Sequence, residues 1–490
     1  MFSLARSHTA IMAARNTVKA SSILSLATAS IAARRSFTQY LPSDHLKDPT
    51  CPQFMVGKEN GFLPRQDPLV ELPSEFKELE SLLQRMPLTT AKGEVGLLAK
   101  GEFGKAVAAE LPEYNVDHIT DSQVLNALYR DYCFATSAYL LEPCDIYFRE
   151  KKDYGLGRDV LPRNIAVPLA KVSEKLGAKP FLEYTQGYGL YNFTRLDKTK
   201  PIVYGNVRPI RYFAGMPSET GFILVHVAMA ANSSKQVTHV LGALDAVKAN
   251  DRTQFDLELH GILSAMQSVN AAMENMWTVS APKDYMKYRT FIMGTKNQPM
   301  FPKGVVYEGV SPEPTFYRGE TGANDSIIPT ADNFLELTGS MPDNPLTEIL
   351  RDFRSYRPAN HTDFLTWLEK EAKTLGVRAY SVQNSTSAVR YLAILDQIRE
   401  YRARHWNFTK EYIIKWTDHP VATGGSPITT WLPNQLESVL RAIEEISKSI
   451  HPAQLSEEDK KLSKELLDRA EVQRRILTRE VDALRKRFGQ

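Results

Sequence analysis

Cysteine is scarce in this sequence, with only Cys51, Cys133 and Cys144 among 490 residues and no CxxC pair. Three such residues cannot build a disulfide framework, which fits a reducing compartment and argues against a cysteine-held zinc or iron–sulfur site. The chain also lacks the GxxxxGK(S/T), GxGxxG, HExxH and GxSxG signatures, so the usual phosphate-binding, zinc-protease and serine-hydrolase motifs are excluded. No run of about 18 apolar residues occurs, which predicts that the chain does not span a membrane.

Charge is unevenly distributed in one place. The chain has 60 Lys and Arg against 57 Asp and Glu, and residues 1–43 contain five of the basic residues and no acidic one. Residues 44–490 contain the other 55 basic residues and all 57 acidic ones, so this part of the chain is slightly acidic. Its net charge does not favour binding to nucleic acid.

Residues 1–40 are rich in Arg and Ser and free of acidic residues, which is the composition of a mitochondrial transit peptide. Processing would then fall near Arg34–Phe37. A secretory signal is the competing interpretation, because Ile23–Ala33 is mildly apolar, but the spread of the arginines disfavours it. An unprocessed disordered tail is the third interpretation. We therefore predict a mitochondrial location, with a cytoplasmic one as the alternative.

The rest of the chain is predicted to form two domains and a terminal helix. Residues 41–205 read as a small mixed α/β domain, 206–452 as a large helical domain and 453–490 as a charged C-terminal helix. The narrow apolar stripe of that helix suggests docking on the body or on a partner, and a solvated amphipathic helix is the alternative. We expect a monomer.

Local signals predict the main elements. Asp121 should cap a helix, Ile202–Tyr204 reads as a β-like run, and 295–330 as a long loop of a functional kind. Helical patterns before residue 177 are expected to break at Pro112, Pro143 and Pro162. Helices are predicted over 221–249, 252–277, 344–356, 361–375 and from Ser385 to about Trp416. The second of these should bury Phe255, Leu259, Ile262, Leu263, Met266, Val269, Met273 and Trp277.

His405 falls on the core-facing side of the last of these helices. It shares a stripe at steps of three and four residues with Tyr401 and Phe408. A buried imidazole needs a partner, because an unpaired one costs about 1–3 kcal/mol. Iron is one such partner, since histidine on a core-facing helix is a common proximal haem ligand. On spacing alone, a core histidine bonded to a carbonyl group is favoured.

His226 follows the same reasoning on the helix predicted over 221–249, and two such histidines would suit the two sides of a haem cavity. Arg289 lies among aromatic residues in Tyr285–Phe291, where a guanidinium could grip a carboxylate or simply cover the rings with its stem. The glycines of Ala422–Ser426 allow a mobile lid, a close backbone approach or an ordinary turn.

Several segments, in one order, resemble the indoleamine 2,3-dioxygenase family over roughly residues 70–450. Each carries a motif of that family, including its LP-N-AVP, VYEG and glycine-rich segments. They are Leu161–Pro168, Gly221-Phe222, Val306–Gly309, Gly319–Ala323, Leu350–Tyr356 with Pro358, His361, Phe364 and Leu365, His405, and Thr423–Gly425.

The resemblance implies a mainly α fold, with a large all-helical haem-binding domain capped by a smaller α/β domain. It implies haem b with His405 as proximal iron ligand, and Asp332 and Arg402 as a pair behind that ligand. The distal and substrate-binding roles it implies fall to Phe222 stacking on the indole, His226, Thr321, Arg289 on the substrate carboxylate, Tyr184, Thr423 and Gly424.

The implied reaction inserts O₂ across the indole C2–C3 bond of L-tryptophan and gives N-formylkynurenine. That is the first step of the kynurenine route of tryptophan breakdown and NAD synthesis, and an electron donor would keep the iron ferrous. An oxygen- or haem-binding protein of the same fold without turnover is the second hypothesis, and a helical interaction protein is the third.

Three departures from the family pattern concern substrate fit more than haem binding. His226 stands where the family commonly has a small hydroxyl residue, so contact with the indole N–H or with oxygen is expected. Asp284–Tyr288 matches the aromatic segment before the arginine only loosely, and Asn324-Asp325 replaces the usual Gln-Ser.

Overall fold

Helices dominate the structure, a computed structural model that describes residues 49–337, 345–419 and 421–488. The fold is mainly α, as expected. The helices of the described residues are α1 Lys77–Arg85, α2 Leu97–Lys100, α3 Phe103–Glu110, α4 Ser122–Lys151, α5 Arg163–Leu176, α6 Pro217–Ala230, α7 Ser233–Lys248, α8 Arg252–Glu274, α9 Met276–Val279, α10 Pro282–Arg289, α11 Ile327–Phe334, α12 Pro345–Arg354, α13 Ala359–Leu375, α14 Val377–Val382, α15 Ser385–Phe408, α16 Ile428–Ser447 and α17 Glu457–Phe488. No helix in these stretches is long and apolar enough to cross a membrane.

Two short strand pairs accompany the helices. β1 (Val160–Leu161) pairs in parallel with β4 (Val306–Tyr307), and β2 (Phe193–Arg195) pairs antiparallel with β3 (Val207–Pro209). Each pair joins residues from both sides of the boundary expected near residue 205, and the division into two domains stays a prediction. The predicted transit peptide lies outside the described residues.

The β-like run Ile202–Tyr204 is not a strand, which corrects the prediction. It lies in the connection between β2 and β3, where the Asn206 amide donates to the carbonyls of Asp197 and Pro201 at 3.0 Å each. Side-chain bonds of this kind hold a turn and leave the flanking residues without a ladder partner. Apolar, β-favouring residues were therefore misread as a strand.

Helix α4 passes through Pro143, where a break was expected. Its start is as predicted, because the Asp121 carboxylate accepts from the backbone N–H of Gln123 at 2.8 Å. Proline at 143 has no N–H for the Tyr139 carbonyl, and the Arg158 guanidinium donates to that oxygen instead. Since a residue distant in the fold satisfies the orphaned carbonyl, the helix continues to Lys151.

The single helix predicted over 221–249 is two helices, α6 and α7. The chain turns at Ser233, whose hydroxyl donates to the Ala230 carbonyl at 2.6 Å and accepts from the Phe62 N–H at 2.9 Å. The break is thus fixed by a contact with the distant segment at Phe62. Of the side chains expected to be buried on the next helix, Leu263 is half-buried, and Trp277 lies beyond α8 and is 36% exposed.

Helix α15 crosses the core, begins at an Asn384 cap and continues into a π-helical turn over Thr409–Ile414, close to its predicted extent. Helices α8, α16 and α17 pack against it. The charged helix α17 therefore docks on the body, which was one of the outcomes expected for it. It is anchored by Glu480, which accepts from the Trp406 indole N–H at 2.8 Å and from Lys410.

Candidate functional site

A cavity lies where α6, α10 and α15 meet the loops around Thr321 and Thr423. The space open to the centre of a water molecule measures about 220 Å³. One water needs roughly 10–15 Å³ by this measure, so the cavity is far larger than a structural water site. Of the residues predicted for the site, its wall contains Phe222, His226, Thr321, Asp332, Arg402, His405 and Thr423.

His405 faces this cavity from α15 and is half-buried. No described residue forms a hydrogen bond with its imidazole. Burial lowers the pKa of His405 to about 4, with a smaller contribution from the nearby His226 imidazole. The ring is therefore neutral near pH 7, with a nitrogen lone pair available to a metal ion.

His226 faces the same cavity from α6 but has a fixed orientation. Its Nδ1 lies 2.7 Å from the Phe222 carbonyl oxygen one turn earlier. Because a carbonyl only accepts, Nδ1 carries the hydrogen and Nε2 is left as an acceptor. Burial lowers the pKa of His226, so this neutral tautomer is the resting form. The rings of Phe222 and Tyr184 pack against it at centroid distances of 5.0 and 5.4 Å.

Arginines provide the positive charge in the wall. Arg402 lies one turn before His405 and donates to Asp332 at 2.7 Å, and both side chains are buried. Arg354 and Arg357 line the wall as well, and the Arg357 guanidinium donates to the Asp325 carbonyl at 3.0 Å. The predicted pair of Arg402 and Asp332 and the two arginines not assigned to the site from the sequence therefore line the same cavity.

The donor set fits a haem group. A half-buried imidazole facing a cavity would suit a ligand of haem iron, and Arg354 and Arg357 would suit the two haem carboxylates. A non-haem iron site would need a cluster of ligands, and the described residues contain no group of three or more His, Cys, Asp or Glu placed to hold a metal ion.

Arg289 is fully buried on α10 and lies outside the cavity wall, one turn after Tyr285, which is in it. Its guanidinium donates to the Tyr154 hydroxyl at 2.9 Å and to the Val421 carbonyl at 2.8 Å, while its Nε has no partner. No described carboxylate pairs with it. A buried guanidinium with an unsatisfied N–H is suited to receive a carboxylate.

The loop Thr423–Gly425 approaches the cavity closely. Thr423 donates to the Glu320 carbonyl at 2.6 Å. A Cβ at Gly424 would lie 2.8 Å from the Phe353 ring, so glycine permits a backbone approach that another residue would obstruct. Gly424 and Tyr184 lie behind the wall rather than in it.

Sequence reasoning missed Glu320, a buried carboxyl group in the cavity wall. Burial raises its pKa to about 8, and the neighbouring Glu183 adds to the shift. Its position between Gly319 and Thr321, next to a residue already expected in the distal and substrate-binding site, was the available signal. A side chain at that place points either to solvent or into the site, and only the tertiary structure distinguishes the two.

Two other predicted features have structural roles. Asp325 accepts from the N–H groups of Ile327 and Ile328 at 3.1 and 3.2 Å, so it caps α11 rather than touching the cavity. His361 packs against Phe54 and Phe62, with its Nδ1 3.2 Å from the Ser326 hydroxyl, as a core histidine does.

Comparison with known proteins identifies the family of the chain. A family model described as Indoleamine 2,3-dioxygenase matches residues 50–460. Indoleamine 2,3-dioxygenase 1 of Mus musculus is 26% identical over 362 residues, 74% of this chain and 84% of the relative. Indoleamine 2,3-dioxygenase of Saccharomyces cerevisiae is 25% identical over 389 residues, with coverages of 75% and 80%.

A third relative, named Myoglobin, comes from Haliotis diversicolor and is 25% identical over 366 residues, 74% of this chain and 88% of the relative. Helix α17 begins near the end of the family match and extends beyond it. The protein is therefore a member of the indoleamine 2,3-dioxygenase family, a family of haem-dependent oxidoreductases.

Proposed function

We propose that the protein is a haem dioxygenase that opens the indole ring of L-tryptophan with O₂ and gives N-formylkynurenine. The observation that carries the proposal is the neutral His405 imidazole, which has no hydrogen-bond partner among the described residues and faces a cavity shared with Phe222 and His226. Family membership indicates the class of reaction. The site offers candidate residues for holding haem and for positioning the substrate.

His405 would hold the haem iron from α15, with the haem carboxylates near Arg354 and Arg357. Bound haem supplies the ferrous iron that activates O₂. The buried pair of Arg402 and Asp332 fixes the helix one turn before His405, which orients the imidazole toward the cavity.

The remaining residues position the substrate. Phe222 offers a ring face to the indole, and the Nε2 of His226 is an acceptor for the indole N–H. Arg289 would take the carboxylate through its unsatisfied Nε side. Orienting the indole ring in the cavity would be the main contribution of such a site, because the entropy of positioning the substrate is then lost on binding and not in the reaction step.

The test is a single-turnover assay of the chain without residues 1–40, reduced under anaerobic conditions. L-tryptophan and O₂ are added, and the absorbance of N-formylkynurenine is followed beside a His405→Ala sample. Product that disappears in the variant supports the proposal. Haem without product contradicts it, and so does an absence of both.

An oxygen-binding protein is the second candidate, favoured by the relative named Myoglobin and by the fixed His226 in the cavity wall. Such a protein would hold O₂ reversibly and form no product. Arg289 argues against it, since binding oxygen requires no carboxylate anchor. The assay above separates the two, because only the dioxygenase yields N-formylkynurenine.

We also propose that the protein acts in mitochondria, at the head of a kynurenine route toward NAD, with a separate donor that keeps iron ferrous. The composition of residues 1–40 supports the location. A tagged full-length chain should fractionate with mitochondria, whereas a chain starting at residue 41 should not. Equal distribution of both would contradict this proposal.

A further inference from the structure

Glu320 is a buried carboxyl group in the cavity wall that the proposed mechanism leaves without a role. Its side chain is 3% exposed, and no described residue donates a hydrogen bond to it or forms an ion pair with it. Burying a carboxylate without a partner is costly. A carboxyl group of this kind in a binding cavity indicates that a positively charged group of the ligand binds to it.

Two cations around the cavity, Arg318 and Arg402, are paired with other carboxylates. Arg318, two residues earlier, pairs with Asp352 at 2.7 Å and donates to the Gly424 carbonyl. Arg402 pairs with Asp332. The neighbouring carboxylate Glu183 accepts from three backbone N–H groups, including Thr185 at 2.7 Å and Gly187 at 2.9 Å. Glu320 therefore differs from the other acidic groups around it in having no such compensation.

Glu320 and Arg289 contact the same short loop. The Val421 carbonyl accepts from Arg289 at 2.8 Å, and the Thr423 hydroxyl, two residues later, donates to the Glu320 carbonyl at 2.6 Å. Glu320 lies in the cavity wall together with Tyr285, one turn before Arg289, so an acidic group and a positive group lie at the same edge of the cavity. An α-amino acid carries the complementary pair, a carboxylate and an ammonium on one carbon.

We propose that Glu320 binds the α-ammonium group of the substrate, so that the site recognises a zwitterionic amino acid rather than indoles in general. The inference rests on the proposed function and names the second anchor of the same site. An ammonium donates to both carboxyl oxygens and compensates the buried charge. The pKa of Glu320, raised to about 8 by burial, falls when that cation arrives.

The test measures equilibrium dissociation constants from the absorbance shift of the haem-loaded protein, with no turnover. The ligands are L-tryptophan, tryptamine, which lacks the carboxylate, and indole-3-propionate, which lacks the ammonium. Glu320→Gln should weaken L-tryptophan and tryptamine about 10- to 100-fold and change indole-3-propionate less than about twofold. Glu219→Gln is the matched control, because Glu219 is equally buried and lies outside the wall, and it should alter none of the three.

A Glu320→Gln protein that binds all three ligands as the unaltered protein does, or loses all three equally, overturns the assignment. The unaltered protein gives an independent check, since indole-3-propionate must bind at least about tenfold more weakly than L-tryptophan. Equal binding of these two overturns the inference without any variant. Unaltered protein that takes up no haem or forms no product overturns the proposed function itself, and the inference with it.

Discussion

Two of the helices that line the cavity, α6 and α15, present their histidines in opposite ways. On α6, the His226 imidazole is bonded to the Phe222 carbonyl, whereas on α15 the His405 imidazole has no hydrogen bond from any described residue. Burial makes both rings neutral. The His226 ring is therefore oriented by its own helix to accept a hydrogen bond from a ligand, while the His405 ring is left with a nitrogen that a bound metal ion would occupy.

The structural elements around the cavity also differ in how they are held. Helix α15 is held by the Asp332–Arg402 pair and by Glu480 of α17. The cavity wall also includes the loops around Thr321 and Thr423, where close glycine contacts help define the shape. A rigid helix suits a permanent ligand, and loops suit a substrate that enters and leaves.

The largest effect is expected from replacing His405, the histidine without a hydrogen-bond partner among the described residues. His405→Ala should abolish haem binding and product formation, because the nitrogen that would hold the haem iron is removed and no other described histidine except His226 lines the cavity. Haem absorbance after purification is the measurement. His226→Ala is the control and should retain haem. Full haem content in His405→Ala would mean that the two histidines have been assigned to the wrong sides.

Arg289→Ala should lower kcat/KM for L-tryptophan by about 100-fold or more, because a buried charged anchor contributes roughly 2–5 kcal/mol. Tryptamine has no carboxylate, so its binding should change little. Arg289→Lys keeps the charge but loses the planar fork and should restore only part of the rate. A loss of tryptamine affinity as large as the loss of kcat/KM for L-tryptophan would show that Arg289 has a structural role instead.

Replacing the acceptor on α6 tests the other half of the comparison. His226→Ala should lower kcat for L-tryptophan about tenfold while leaving haem content unchanged, since one hydrogen bond is lost. 1-Methyl-tryptophan lacks the indole N–H, so the variant and the unaltered protein should bind it with similar affinity. If the variant has the kcat of the unaltered protein for L-tryptophan and the same affinity for 1-methyl-tryptophan, His226 does not contact the substrate.

The smallest effect is expected behind the α15 wall. Glu480→Ala leaves the buried Trp406 indole N–H without its acceptor and should lower the free energy of unfolding by about 1–2 kcal/mol. Glu471→Ala removes only an exposed pair with Arg475 and should cost less than about 0.5 kcal/mol. Denaturant titration compares them, and equal losses would mean that α17 does not support α15.

Much of the fold followed from periodicity. The steps of three and four residues along α15 placed His405 on a core-facing side, and the Asp121 cap marked the start of α4. The prediction failed at Pro143 and at Ser233, where the outcome depends on Arg158 and Phe62. Periodicity reports which side of a helix is buried, but it does not report which distant group satisfies a carbonyl or a hydroxyl.

The helical architecture, the candidate haem ligand and, through the resemblance, the family could be predicted from the order of the residues alone. The arrangement of the described residues in space was needed to show that none of them bonds to the His405 imidazole or the Glu320 carboxyl group, that none gives Arg289 a carboxylate, and that Asp325 caps a helix. The physical reason is that helix formation depends on near neighbours in the chain. Charge compensation depends on groups that folding brings together from far apart.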